Sequence, residues 1–248
     1  MNIFQKVMSA GALAAMGLAI AAPSQAGTVV TFAQYFEQKG VGPDMRWVNK
    51  GASAELMTIS NPSSKVLGAT KVDFTFLNDP FGSIKALLTY DATTASAATG
   101  NFDQPGLNGS FSFVADQAFS YGGNNYAAGA NLLSATFFNF TDITGKKGGT
   151  SGSVFASTGS GSTINYTSGV LAAVDLGPDR DFSFTLTGAN PKFGYLNGKP
   201  LNNFIASSTG SFSADPLPEP ANWALMITGF SMLGLLARRQ RRADVVVA

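Results

Sequence analysis

The chain of 248 residues contains no cysteine and no histidine. The first absence excludes disulfides, a thiol nucleophile and cysteine metal sites. The second excludes a Ser-His-Asp triad, histidine-ligated zinc and a histidine proton shuttle. Catalysis would fall to carboxylates, lysine or tyrosine. Charge is also scarce, at 12% of residues. Residues 27–217 hold eleven Lys and Arg against thirteen Asp and Glu, a net of −2. No basic face is available for nucleic acid. Tryptophan occurs only twice, against twenty phenylalanines, so the aromatic content is of the kind that fills cores.

The two ends depart from this pattern. Residues 1–26 begin with one early cation, Lys6, followed by an apolar stretch over 7–22. Pro23 then breaks the helix, and Ser24-Gln25-Ala26 places small residues at −3 and −1. This is the plan of a secretory signal peptide, with cleavage expected between Ala26 and Gly27. At the other end, Pro218-Glu219-Pro220-Ala221-Asn222-Trp223-Ala224 opens an uncharged run that ends at Ala237, before Arg238-Arg239-Gln240-Arg241-Arg242. The uncharged residues 220–237 would form a helix of about 27 Å, against a hydrocarbon core of about 30 Å. Proline is tolerated at a helix's first turn, which places the start near Pro220. Trp223 then falls at the interface, and the four arginines hold the end on the cytoplasmic side.

The order Pro218-Glu219-Pro220, Trp223-Ala224, apolar helix, arginine cluster resembles the PEP-CTERM sorting signal in its PEPxxWA variant of alphaproteobacteria. The resemblance covers residues 218 to about 242 and says nothing of the region before them. The six residues from Ala243 to Ala248 run past the usual arginine end. The resemblance implies an exported bacterial substrate of an exosortase, a membrane-embedded cysteine transpeptidase-like enzyme. Family members are commonly linked to extracellular polysaccharide and biofilm. The alternative for the tail is an ordinary membrane anchor behind a proline-rich linker.

Between the ends lie about 190 residues, enough for one domain with a real core. Their periodicity is two. Val72, Phe74 and Phe76 alternate with polar residues, as do Phe111 and Phe113, and Phe182, Phe184 and Leu186. Turn signals such as Asn78-Asp79-Pro80, Gly122-Gly123-Asn124-Asn125 and Asn197-Gly198 separate the runs. Half-buried strands at short spacing predict an all-β, antiparallel β-sandwich. Strands are expected near 28–36, 54–60, 69–77, 84–92, 109–115, 131–141, 152–157, 162–167, 181–188 and 204–214. A short helical turn is the alternative over 33–39, and 141–161 reads as a long hairpin or loop. The alternating phenylalanines read as core. Phe74 and Phe184, each centring a run, are expected to be buried.

Few constellations suggest chemistry. Asp175, Asp179 and Asp181 cluster in a turn rich in oxygen ligands of the kind calcium takes. Their spacing does not match a twelve-residue calcium loop, and Arg180 lies among them. Asp79, Asp91, Asp103 and Asp116 recur near loop edges, where Asp stabilises turns. Trp47, Tyr121, Tyr126 and Tyr195 fall in or beside predicted loops and are candidates to stack on sugar rings. Thr93-Thr94 and Thr185-x-Thr187 stand as isolated pairs, not the regular threonine array that ice binding wants.

The expected organisation is a signal peptide over 1–26, one β-sandwich domain over 27–216 and a sorting signal over 217–248. Pro218, Glu219, Pro220, Trp223 and Ala224 are the expected recognition residues. Arg238, Arg239, Arg241 and Arg242 are the expected membrane stop. The expected role is a non-enzymatic surface or extracellular-matrix protein without a cofactor. Its expected partners are signal peptidase, an exosortase-type enzyme, the membrane until processing, and extracellular polysaccharide. The route runs from an inner-membrane intermediate, with the β-domain periplasmic, to the cell surface or matrix. The alternatives are a carbohydrate-binding module and a calcium-assisted adhesin.

Overall fold

A side chain that alternates inward and outward every second residue requires extended backbone. The computed structural model has that conformation in sixteen strands. It describes residues 30–61, 63, 66–77, 82–100, 102–139, 141–171 and 176–215. The strands in chain order are β1 (Val30–Glu37), β2 (Met45–Asn49), β3 (Ala54–Asn61), β4 (Val66–Leu67), β5 (Thr70–Phe76) and β6 (Ile84–Thr94). Next come β7 (Asp103–Gln104), β8 (Asn108–Ala115), β9 (Phe119–Tyr121), β10 (Asn124–Tyr126) and β11 (Asn131–Phe138). The last are β12 (Asp142–Gly145), β13 (Gly152–Ser157), β14 (Thr163–Thr167), β15 (Arg180–Asn190) and β16 (Phe204–Ala214). A 3-10 turn, Thr158–Ser160, joins β13 to β14. No α-helix occurs among the described residues, and none there is long and apolar enough to cross a membrane. The predicted signal peptide and sorting tail lie outside the described residues.

Every predicted strand is present, and 33–37 is strand, not helical turn. One correction matters. Residues 45–49 form β2, a strand the sequence reading passed over. Of the hairpin or loop expected over 141–161 it is the hairpin that forms: residues 142–145 make β12, which pairs with β13.

All strand pairs are antiparallel. One layer runs β14-β11-β8-β6 and the other β16-β15-β13-β12-β7. The layers join along one side through shorter strands. The ladder of β6 passes from β5, opposite residues 84–88, to β3, opposite 91–94. The ladder of β16 passes from β2, opposite 204–206, to β1, opposite 209–214. Pairs β1–β5 and β2–β3 complete the connection.

A change of partner leaves backbone groups without a ladder, and buried ones must find other partners. At the β16 changeover Asp44 fills the gap. Its N–H donates to the Ala206 carbonyl at 3.1 Å, and its carbonyl accepts from Ile59 N–H at 2.9 Å. At the β6 changeover Thr58 Oγ1 accepts from Tyr90 N–H at 3.1 Å.

Inward side chains from both layers meet in an aromatic core. Phe111 on β8 lies 5.2 Å from Phe184 on β15 and 5.2 Å from Phe212 on β16, centroid to centroid. Phe137 on β11 meets Phe182 edge-on at 4.9 Å. Tyr35 on β1 lies 5.0 Å from Phe113. Phe74 and Phe184 are buried as expected. Each such ring adds area burial and roughly 0.5–1.5 kcal/mol of edge or offset contact. Two antiparallel layers packed through their inner faces are consistent with a β-sandwich.

Candidate functional site

The expected recognition residues Pro218, Glu219, Pro220, Trp223 and Ala224 lie outside the described residues. So do the membrane stop Arg238, Arg239, Arg241 and Arg242, and the cleavage pair Ala26 and Gly27. Candidate sites within the described region are the acidic turn, the aromatics near loops, the buried carboxyl and the outer sheet faces.

Asp175 of the acidic turn is also outside the described residues. The neighbouring carbonyls, which a cation would take as ligands, are occupied by Arg180. Its Nε donates to the Gly177 carbonyl at 2.7 Å, Nη2 to Leu176 at 3.0 Å and Nη1 to Ile164 at 3.1 Å. A resident guanidinium does there what a bound cation would do. Among the described residues no three carboxylates gather into a metal-binding group.

Trp47 is not a loop aromatic. It lies in β2, fully buried, with Nε1 donating to the Leu201 carbonyl at 2.9 Å and its ring stacked on Phe204. Tyr121, Tyr126 and Tyr195 are half-buried. Each packs on another ring: Tyr121 on Phe76, Tyr126 on Phe119 and Tyr195 on Phe102. The aromatics that do stand out are phenylalanines. Phe36, Phe138 and Phe155 are each about half exposed. Phe138 follows inward Phe137, so only one of the pair can face the core.

Asp44 is buried and lies at the β16 changeover. One carboxylate oxygen accepts from Ser208 Oγ at 2.8 Å, and Ser208 Oγ in turn accepts from Tyr35 OH at 2.7 Å. The other oxygen, Oδ1, has no hydrogen-bond partner. Burial pushes the carboxyl up to about 7, opposed by the Ser208 hydrogen bond and reinforced by the nearby Glu37 carboxylate. A carboxyl so placed is a structural proton holder.

The outer faces hold what the sequence did not display. Polar partners of the buried phenylalanines stand on neighbouring strands in register. On one layer Thr89, Ser112, Ser134 and Thr167 form a row across β6, β8, β11 and β14. Asp91, Ser110, Thr136 and Asn165 form the next. On the other layer Ser211, Ser183 and Phe155 form one row, and Thr209, Thr185 and Ser153 another. The isolated hydroxyls of the sequence are therefore brought into rows by register. The signal for them was the polar half of each alternating run.

No family model, curated protein or solved structure matches the chain.

Proposed function

We propose that the chain is an exported, non-enzymatic surface or extracellular-matrix protein, sorted through its C-terminal PEP motif and associated with exopolysaccharide. In this reading the signal peptide is removed after Ala26. The apolar helix and Arg238, Arg239, Arg241 and Arg242 then hold the chain in the inner membrane with a β-sandwich domain outside. An exosortase-type enzyme recognises Pro218, Glu219, Pro220, Trp223 and Ala224 and releases the domain to the surface or matrix. The observation that carries the reading is the order of motif, uncharged helix and basic stop over residues 218–242. Pro216, Pro218 and Pro220 support it, because each biases the residue before it toward extended backbone and keeps the motif accessible. The non-enzymatic part is supported by the lack of histidine and cysteine.

The test replaces Pro218, Glu219 and Pro220 with alanine in cells that carry the sorting enzyme. The anchor survives this change and the recognition does not. The expected outcome is an uncut protein held in the inner membrane, seen by fractionation and intact mass. A variant shortened and displayed like the wild type would reduce the tail to an anchor. The carbohydrate-binding reading is favoured by one specific feature, a hollow of about 250 Å³ lined by uncharged residues on the outer face of the β14-β11-β8-β6 layer.

A further inference from the structure

The outer face of the β14-β11-β8-β6 layer is not flat. Small side chains at its centre, Ser110, Ser112 and Ser134, leave a hollow of about 250 Å³. Longer ones, Thr89, Thr136, Asn165 and Thr167, rise around it. The lining contains no charged residue. Among the described residues only Ser134 of these side chains is engaged, donating to Asn131 at 2.8 Å. The rest point hydroxyl and amide groups outward with free donor and acceptor capacity. One row further along β11, past Thr136, Phe138 is 43% exposed.

These features narrow the ligand by chemistry. An anion finds no cation in the lining. A purely apolar ligand would strip water from six free polar side chains and return no hydrogen bonds. A ligand rich in hydroxyls, with an apolar flank for the ring of Phe138, satisfies both surfaces. The hollow is smaller than the roughly 300–1,000 Å³ that encloses a drug-sized ligand. It seats about one sugar ring, open on the solvent side to a chain that continues. Among the described residues no strand lies beyond β14 on this face, so a long chain can run off that edge.

We propose that this hollow binds one ring of an uncharged polysaccharide, with the adjacent ring stacked on Phe138. The inference deepens the matrix reading and rests on it only for where such a polymer is met. Binding by the purified chain is independent of tail recognition, so the two readings fail separately.

The test is affinity electrophoresis of the full chain in detergent, in gels containing hydroxyethyl cellulose, glucomannan or alginate. The first two are neutral β-linked polymers and the third is a polyuronate. The variants are Phe138→Ala, Ser112→Gln, which fills the hollow without charge, and Phe155→Ala. Phe155 is also 43% exposed, but on the opposite layer. The expected result is retardation by at least one neutral polymer. Phe138→Ala and Ser112→Gln should each weaken it about threefold to tenfold, the size of one stacking contact. Phe155→Ala should leave it unchanged, and all three melting temperatures should stay near wild type. No retardation by either neutral polymer would overturn the proposal. So would retardation by alginate alone, or an equal loss in Phe155→Ala. A change of oligomeric state in Phe138→Ala would also overturn it, assigning the face to a second copy of the chain.

Discussion

Asp44 holds a gap where β16 changes partner, and its chemistry follows from that position. Its carboxyl is pushed up to about 7 by burial, while an unfolded Asp stays near its ordinary value of 3.8. Between these values the folded chain binds a proton that the unfolded chain does not. Stability is therefore fully present below about pH 4 and is lost as pH rises through about 7, at about 1.4 kcal/mol per pH unit. Glu37 and Asp142 are also raised by burial and add slopes of the same sign. Asp44→Asn keeps the shape, including an acceptor for Ser208, and removes the titration. The wild-type urea midpoint should fall from pH 5 to pH 8, and the D44N midpoint should fall distinctly less. Equal slopes would show that Asp44 does not hold a proton in the folded chain.

At the scale of elements, Gly210 shows how one strand accommodates another. It lies within β16, opposite Tyr35 on β1 and Phe184 on β15. A Cβ there would stand 2.6 Å from Tyr35 Cε1 and 2.9 Å from the Ser183 carbonyl. Glycine within a strand ordinarily costs about 0.5–1 kcal/mol relative to alanine, so the ring's close approach is what it permits. Gly210→Ala should displace Tyr35, weaken its bond to Ser208 and lower stability by roughly 1–3 kcal/mol. Urea denaturation checks this, and a variant as stable as wild type would show that the ring has room to move.

Much of this element level was legible in the chain. Alternation around Phe74, Phe111 and Phe184 located the strands of the core, because a half-buried strand must repeat every two residues. β2 was missed because Met45-Arg46-Trp47-Val48-Asn49 is short, and lone tryptophans read as surface aromatics. β12 could be read only as part of a hairpin or loop, because Asp142-Ile143-Thr144-Gly145 carries only one inward apolar residue. The hollow was not legible at all. Its hydroxyls come from four strands, and only the register that sets Ser112 between Thr89 and Ser134 brings them together.

At the scale of the whole molecule, the proposed function gives the core and the tail separable roles. β16 ends at Ala214, and the next residue closes the fold, Asp215 N–H donating to the Asp179 carbonyl at 2.8 Å. No described strand draws a partner from beyond that point. The buried rings from Tyr35 to Phe212 all lie before it. Removing residues 218–248 takes away the proposed sorting signal and leaves every described ladder of both layers intact. The truncated chain should leave the membrane fraction and appear as a soluble periplasmic protein of β-rich far-UV circular dichroism. Its melting temperature should match that of the full chain in detergent within a few degrees, since every described core residue is kept. Its mass after export should begin at Gly27, the residue after the expected cleavage. A truncated chain that is exported but aggregates or melts without cooperativity would show that the tail completes the fold. The proposed division between a displayed domain and a disposable sorting signal would then fail.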